Sequence, residues 1–356
     1  MENKQIGKMF AVIVVILFLG TCIIPVMAQE VKKTSPPSSK GSWLYVGGSG
    51  PGNYSTINQA MENASNGDTI FVYSGLYERV VITKSLTIIG ENKYTTILDG
   101  MGIGSVVHIR ASHVNLSGFT IQNGGTHGTS KTGEGIDLQA QTNIRVFDVI
   151  LTRNIDAMKF YWCRDVRLEH ITFINKAGKI NFWDNINVSI THCIFDNSGI
   201  YHGGFSKSTV GSSLFIRNNL FTNNSQISMG ELAGESRGLT IIESNIFRDN
   251  TIAITSVNSN GVHITGNNFI NNFRHALPRK DTILISTPFY INHASLWTNN
   301  YWDDWNQKGS YTIWGLWRIG FSLWIPLAYF NLFLFLYREY DHTPAEKPYD
   351  FKVEIP

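Results

Sequence analysis

Three stretches of the chain repeat one another: IRNNLFTNN at 216–224, IIESNIFRDN at 241–250 and ITGNNFINN at 264–272. Repetition at a fixed period constrains architecture more than any single residue does. Each copy is one structural unit that buries its apolar side only by stacking on its neighbours. The last large apolar residue of each copy marks the period. Leu151, Phe173, Phe195, Phe221, Phe247 and Phe269 follow at spacings of 22, 22, 26, 26 and 22, and Tyr301 comes 32 later. A period near 22, with β-branched and aromatic residues alternating with polar ones and broken by Asn and Gly, describes short strands and tight turns. Helical repeats would need longer apolar stripes. Two residues before the marks stand Ile171, Cys193, Asn219, Asn245, Asn267 and Asn299. If each repeat is one coil, these stack at a strand spacing of about 4.8 Å. The amides can then bond to their copies above and below. The fold expected is an all-β parallel β-helix, with the Asn column as structure.

The front end fits a coil with a covered mouth. In NYSTINQAMENASNGDT, Ser55 is placed to cap a short helix with Ile57, Met61 and Ala64 on one face, ended by Asn66 and Gly67. Residues 1–28 read as a secretory signal: Lys4 and Lys8 precede an apolar run, and Val26 and Ala28 are small residues before a cut. Residues 29–42 form a polar, Pro- and Ser-rich linker. Removing the signal takes two lysines and one glutamate, so 29 and 27 charges become 27 and 26, a net +1. Such a balanced surface gives no reason to expect nucleic acid as partner. Cys163 and Cys193 occupy different points of the repeat and read as buried, unbridged residues. Asn53, Asn63, Asn115, Asn187 and Asn223 begin glycosylation triplets, which an Asn-rich repeat also produces by chance.

The run from Gly52 to Gly100, the Asn-rich coils after it, NNYWDDW at 299–305 and the tail DHTPAEKPYDF at 341–351 resemble secreted right-handed β-helix proteins of archaea and bacteria. These belong to the pectin lyase-like superfamily, which includes the β-helix domain of NosD copper-site maturation proteins. The resemblance covers roughly residues 43–356. It implies a single-stranded right-handed solenoid of about nine or ten coils. Fold does not fix function, and the superfamily's esterase and polygalacturonase signatures are absent from the sequence, so no catalytic residue carries over.

Carbohydrate sites in this architecture lie on the outside of one stacked sheet. The segments IDLQA (136–140), MKFYW (158–162) and INFWD (180–184) align at a spacing of 22. Alternation turns Ile136, Met158 and Ile180 inward and leaves Asp137, Lys159 and Asn181 stacked outward beside Gln139, Tyr161 and Trp183. Sugar CH surfaces stack on aromatic rings while hydroxyls bond to polar neighbours. Substrate-binding candidates are therefore Gln139, Tyr161, Asn181 and Trp183, with Asp184, His202 and Glu231 brought near by the turns. Catalytic candidates are Asp137 and Asp156 as an acid and base pair on a glycosidic bond, or Lys159 as the base of a lyase with calcium held by Asp side chains. The bland alternative is a solvated face with an ion pair of little worth. His170 and His192, also 22 apart, stack with Asp148 one coil earlier and make a two-His metal site conceivable, although copper is disfavoured for want of a His-x-His or Met-rich cluster.

Residues 319–337 run 19 positions without a charge. They suit either a transmembrane helix or a segment folded over the open C-terminal end, with Trp314, Trp317 and Trp324 on the last coils. The organisation expected is thus a signal at 1–28, a linker at 29–42, the β-helix at 43–310 and an apolar segment with its tail at 311–356. The function expected is binding of an extracellular polysaccharide or glycan by a secreted or surface-held protein. The alternatives are a polysaccharide lyase or glycoside hydrolase, a structural surface protein, or a NosD-like metal-handling protein.

Overall fold

Apolar side chains that recur every second position, over runs too short for a helix, fold here as three short strands per coil. In one coil these are Glu134–Gln139, Thr142–Phe147 and Ile150–Thr152, after which Asp156–Tyr161 begins the next. The computed structural model describes residues 41–125, 133–203, 212–230, 239–257, 261–283, 295–322 and 329–351, with the backbone alone for 280–283, 318–322 and 329–335. Equivalent strands stack in parallel into three faces. The first face runs from Trp43–Val46 through Thr142–Phe147 to Leu296–Thr298. The second holds ten strands, from Gly75–Tyr77 to Tyr301–Trp302, and so spans 10 − 1 = 9 turns. The third runs from Val80–Ile82 through Asp156–Tyr161 to Tyr311–Ser322. Residues 40–356 form one compact unit, a parallel β-solenoid.

The corners explain the Asn- and Asp-rich sequence. Between the first and second faces, Asp148, His170, His192, Asn218, Ser244 and Asn299 all have φ between 52° and 57°. The left-handed region costs most L-residues about 1–2 kcal/mol, and Asn, Asp and His enter it more readily than others. Polar residues recur there because the backbone must turn.

Inside, Phe173, Phe195, Phe221, Phe247, Phe269 and Trp302 form one stack, with centroids 4.3–5.0 Å apart and planes within 13°. The rung expected at Tyr301 is occupied by Trp302, because Phe269 pairs with Trp302 and Asn268 with Tyr301. The Asn column shifts with it. Asn219 bonds to Asn245, Asn245 to Asn267, and Asn267 to Asn300 instead of Asn299, each through Nδ2–Oδ1 contacts of 3.0 Å. At the end, the buried Asp341 carboxylate accepts from the Asn300 backbone N–H and Nδ2 and from Trp302 Nε1, at 3.0–3.2 Å. A carboxylate accepts without having to donate onward, so it closes a ladder that another amide would only lengthen. A parallel column missed in the sequence runs Ser198, Ser225, Asn250 and Asn272.

At the N-terminal end the helix Ile57–Asn63 packs Ile57, Ala60 and Met61 into the core, and its N-cap is Thr56, one residue after the Ser55 expected. The Thr56 hydroxyl accepts from Gln59 N, while the Ser55 hydroxyl reaches the Gln59 side chain instead. At the C-terminal end the described residues of the apolar segment are strand, not helix. Tyr311–Ser322 continues the third face, and Tyr329–Asp341 returns antiparallel to it and meets Trp297 of the first face through Asp341. Among the described residues, no helix is long and apolar enough to cross a membrane. Trp314, expected to pack on the last coils, is 48% exposed beneath the guanidinium of Arg338. The signal, most of the linker, Trp324 and Glu231 lie outside the described residues.

Candidate functional site

The third face carries the outward columns that the 22-residue spacing implies. Asp137 pairs with Lys159 and Lys159 with Asn181, and Gln139 with Tyr161 and Tyr161 with Trp183. Gly199–Gly203 adds a rung that sets Tyr201 beside Asn181 and Gly203 beside Trp183. The Tyr161 and Trp183 rings stack 4.7 Å apart at 14°, and Tyr201 leans on Trp183 at 5.7 Å and 53°. Gly203 permits that lean, because a Cβ there would stand 3.0 Å from the Tyr201 ring and 3.3 Å from Trp183 Nε1. Trp183 is thus flanked by rings on both sides. The ring most open to solvent is Trp162, 51% exposed and 5.9 Å from Tyr161 at 46°. Alternation missed it, because residue 162 stands in the corner after the strand. The signal was the run Phe160-Tyr161-Trp162, of which only Phe160 faces the core.

Beside this ledge lies a charged network. Asp137 accepts from Arg110 Nη2 at 2.7 Å and contacts His108 Nδ1 at 3.2 Å. Burial alone would raise its pKa, but the bonds and charge of His108 and Arg110 outweigh burial and hold the carboxyl below its usual range. Both partners escaped notice in the sequence, since their coil is 29 residues before Asp137 instead of 22. Lys159 Nζ lies 3.2 Å from Glu134 Oε1, and Glu134 also accepts from the Ser105 hydroxyl. Burial disfavours the ammonium, yet Glu134 prevails and raises the Lys159 pKa. A lysine held protonated is poorly suited to remove a proton, which weighs against Lys159 as a lyase base. Asp156 goes the other way from Asp137: burial raises its pKa, reinforced by the nearby Glu134 and only partly offset by a hydrogen bond from Asn181. Asp156 faces Glu134 across the ladder, three residues along from Asp137. Their Cα atoms are therefore roughly 11 Å apart, from about 10 Å along the strand and about 4.8 Å across it.

Two further candidates do not join this surface. His202 pairs in register with the buried Phe182 and is itself 2% exposed inside the solenoid, its Nδ1 3.3 Å from Thr240 Oγ1. Alternation sends it inward and leaves Gly203 on the outer column. Asp184 is buried at a left-handed corner, φ 51°, where it serves the turn after Trp183.

The proposed metal residues stay apart as ligands. His170 and His192 stack ring on ring at 5.1 Å, and Asp148 pairs with Lys93 at 2.9 Å. All three occupy the left-handed corner column, so spacing and residue type follow from the backbone. Among the described residues, His275, Asp303 and Asp304 are the group of three whose ligand atoms lie close enough to share an ion. His275 Nε2 is 3.1 Å from Asp303 and 3.2 Å from Asp304. Its other nitrogen, Nδ1, faces Asn272 Nδ2 at 3.2 Å. That amide cannot turn over freely, because its oxygen accepts from Asn250 N and its nitrogen donates to Phe247 O. Nδ1 is therefore the acceptor, and the ring hydrogen sits on Nε2, aimed at the two carboxylates. A metal at Nε2 would have to displace that hydrogen, so the donor set suits a hydrogen-bonded cluster better than an ion.

No protein-family model matches the chain, and no curated protein does. Solved structures of similar shape include the catalytic domain of a GH87 alpha-1,3-glucanase in complex with tetrasaccharides, at TM-score 0.45 and 12% identity over 70% of this chain and 60% of that one. They include a mannuronic acid specific polysaccharide family 6 lyase from human gut microbiota, at TM-score 0.46 and 18% identity over 66% of this chain and 67% of that one. A pectin methylesterase from Yersinia enterocolitica aligns at TM-score 0.38 and 15% identity over 62% of this chain and 90% of that one.

Proposed function

We propose that the protein binds an extracellular polysaccharide on the outer surface of its third face. The observation that carries this reading is the exposed Trp162 beside the Tyr161–Trp183 stack, at the margin of a network of ionised and amide groups. An open indole takes the CH surface of a pyranose, while Gln139, Asn181 and the Asp137–Arg110 pair offer donors and acceptors for hydroxyls. The signal-like residues 1–28 support a location outside the cell, at the surface or beyond it.

A second reading is hydrolysis, favoured by the opposed pKa shifts of Asp137 and Asp156. Carboxyls pushed apart in this way divide into base and acid.

A polysaccharide panel on the full chain tests both, reading retention and newly released chain ends. Binding predicts retention that Trp162→Asn and Trp183→Ala each weaken about tenfold, with no ends released. Released ends that disappear in Asp156→Asn would establish the hydrolase. Retention unchanged in both tryptophan variants would sink the binding site.

A further inference from the structure

The last coils shape a half-open pocket of about 380 Å³ between the second and third faces, well away from the aromatic ledge. Five rungs of the third face separate Lys179–Trp183 from Tyr311–Ser322, or about 24 Å at the strand spacing. Its rim is apolar and open: Phe273 is 81% exposed, Leu336 68% and Trp314 48%. The wall includes Tyr311, stacked on Trp302 at 4.2 Å and 8°. Beside them stands Asp304, its side chain 61% exposed, whose carboxylate takes the Nε2 hydrogen of buried His275 on one oxygen and the Tyr311 hydroxyl on the other, both at 3.2 Å. Asp303 shares the same imidazole N–H and also accepts from Asn271 N.

Two carboxylates thus converge on neutral donors. Among the described residues the basic side chain they contact is His275, and the Asn272 amide fixes that ring as the neutral Nε2–H tautomer. Neither donor sets a charge of its own against the two carboxylates. Arg274 is a cation of the same lining, and Arg338 lies over Trp314 at 4.2 Å, so this rim already seats one planar cation.

We infer that the cavity receives the free ammonium group of an amino sugar, the nitrogen on Asp304 and the pyranose against Trp314 and Phe273. This rests on the glycan reading above and adds a substrate class to it: a glycan carrying unacetylated hexosamine. Size agrees with charge, since pockets of roughly 300 Å³ and upward hold small ligands. The ammonium pairs with the Asp304 carboxylate, and the CH face covers the exposed rim.

Calorimetric titration of the full chain with glucosamine oligomers, N-acetylglucosamine oligomers, a lysine-containing peptide and Ca2+ or Mn2+ alone tests the pocket. Glucosamine oligomers should bind, and Asp304→Asn should weaken them about tenfold or more, as for loss of a charge-assisted bond. N-acetylated oligomers should bind no more tightly to the unaltered chain than to Asp304→Asn. Asp304 is a surface side chain, so an unchanged melting curve would show the variant folded, and Trp314→Ala supplies an independent loss. Equal binding of free and acetylated oligomers would overturn the ammonium. Asp304-dependent binding of the peptide or of the metal alone would overturn the amino sugar in favour of that ligand. Trp162→Asn separates the two sites: loss there with Asp304→Asn silent upholds the ledge and rejects the pocket, and the reverse upholds the pocket alone.

Discussion

Acid should loosen this solenoid through one imidazole. His202 sits between the Phe182 and Met229 rungs, 2% exposed, and burial pushes its pKa down to about 4. In the unfolded chain the ring titrates near 6.5. Because the folded value is the lower one, the unfolded state binds the extra proton. Stability is fully present above about pH 6.5 and drains away as pH falls towards about 4. At 1.36 kcal/mol per pH unit, the loss reaches about 2 kcal/mol by pH 5 and about 3 kcal/mol below pH 4. Other carboxylates titrate over the same range, so the quantity to measure is a difference. Urea unfolding of the unaltered chain and of His202→Phe, at pH 7.5 and at pH 5, gives two stability gaps between the proteins. Phenylalanine continues the Phe182 column and cannot titrate, although it leaves Thr240 Oγ1 without its imidazole neighbour. That penalty is the same at both pH values and cancels. The gap should shift by about 2 kcal/mol in favour of the variant on going to pH 5. A shift under about 0.5 kcal/mol would refute the buried neutral histidine and return His202 to the surface.

The Asn ladder and the cysteines yield two further expectations. Asn245→Ala removes five side-chain hydrogen bonds at once and takes the acceptor from the buried Asn219 N–H, so a loss of about 3–5 kcal/mol in chemical unfolding is expected; a loss below about 1 kcal/mol would mean the ladder adds little. Burial raises the Cys163 thiol and pushes Cys193 up to about 12. Thiol labelling mapped by mass spectrometry should leave both unmodified in the native protein and modify both in denaturant, and native labelling of Cys193 would contradict its place in the core.

Periodicity carried the fold. Leu151 through Phe269 were enough to place one strand in each of six successive coils, because a solenoid repeats one environment and the sequence must repeat with it. It failed where the period broke. The longer step to the last coil moved the stack from Tyr301 to Trp302 and the ladder from Asn299 to Asn300. The 29-residue step before Asp137 hid Arg110 and His108. The site was less legible for a related reason: alternation separates inside from outside along a strand but says nothing of corners. Asp184 was read as a substrate contact and His170 and His192 as metal ligands when their positions answer to left-handed backbone, and Trp162 was passed over. The His275–Asp303–Asp304 group joins residues from two coils and needed the tertiary structure to be seen.

The corner that misled the sequence is also what makes Trp162 informative. Trp162 has φ 54°, and the same corner holds Ala140 at 55° and Asp184 at 51° on the adjoining coils. A left-handed conformation costs an ordinary L-residue about 1–2 kcal/mol, and a bulky side chain has none of the local hydrogen bonding that eases Asn or Asp into it. About half of the residue packs against its neighbours, Tyr161 among them, and about half remains in water. An exposed aromatic in a left-handed backbone, adjoining a stack of rings and a charged network, stands where the proposed glycan contact falls. Strain of this kind persists where the surroundings impose it and a function uses it. His170 and His192 occupy equally left-handed corners, but there the residue type eases the backbone and no ligand need be invoked. The same backbone geometry therefore argues for function at Trp162 and against it at the histidines, and the side chain's fitness for the turn decides between them.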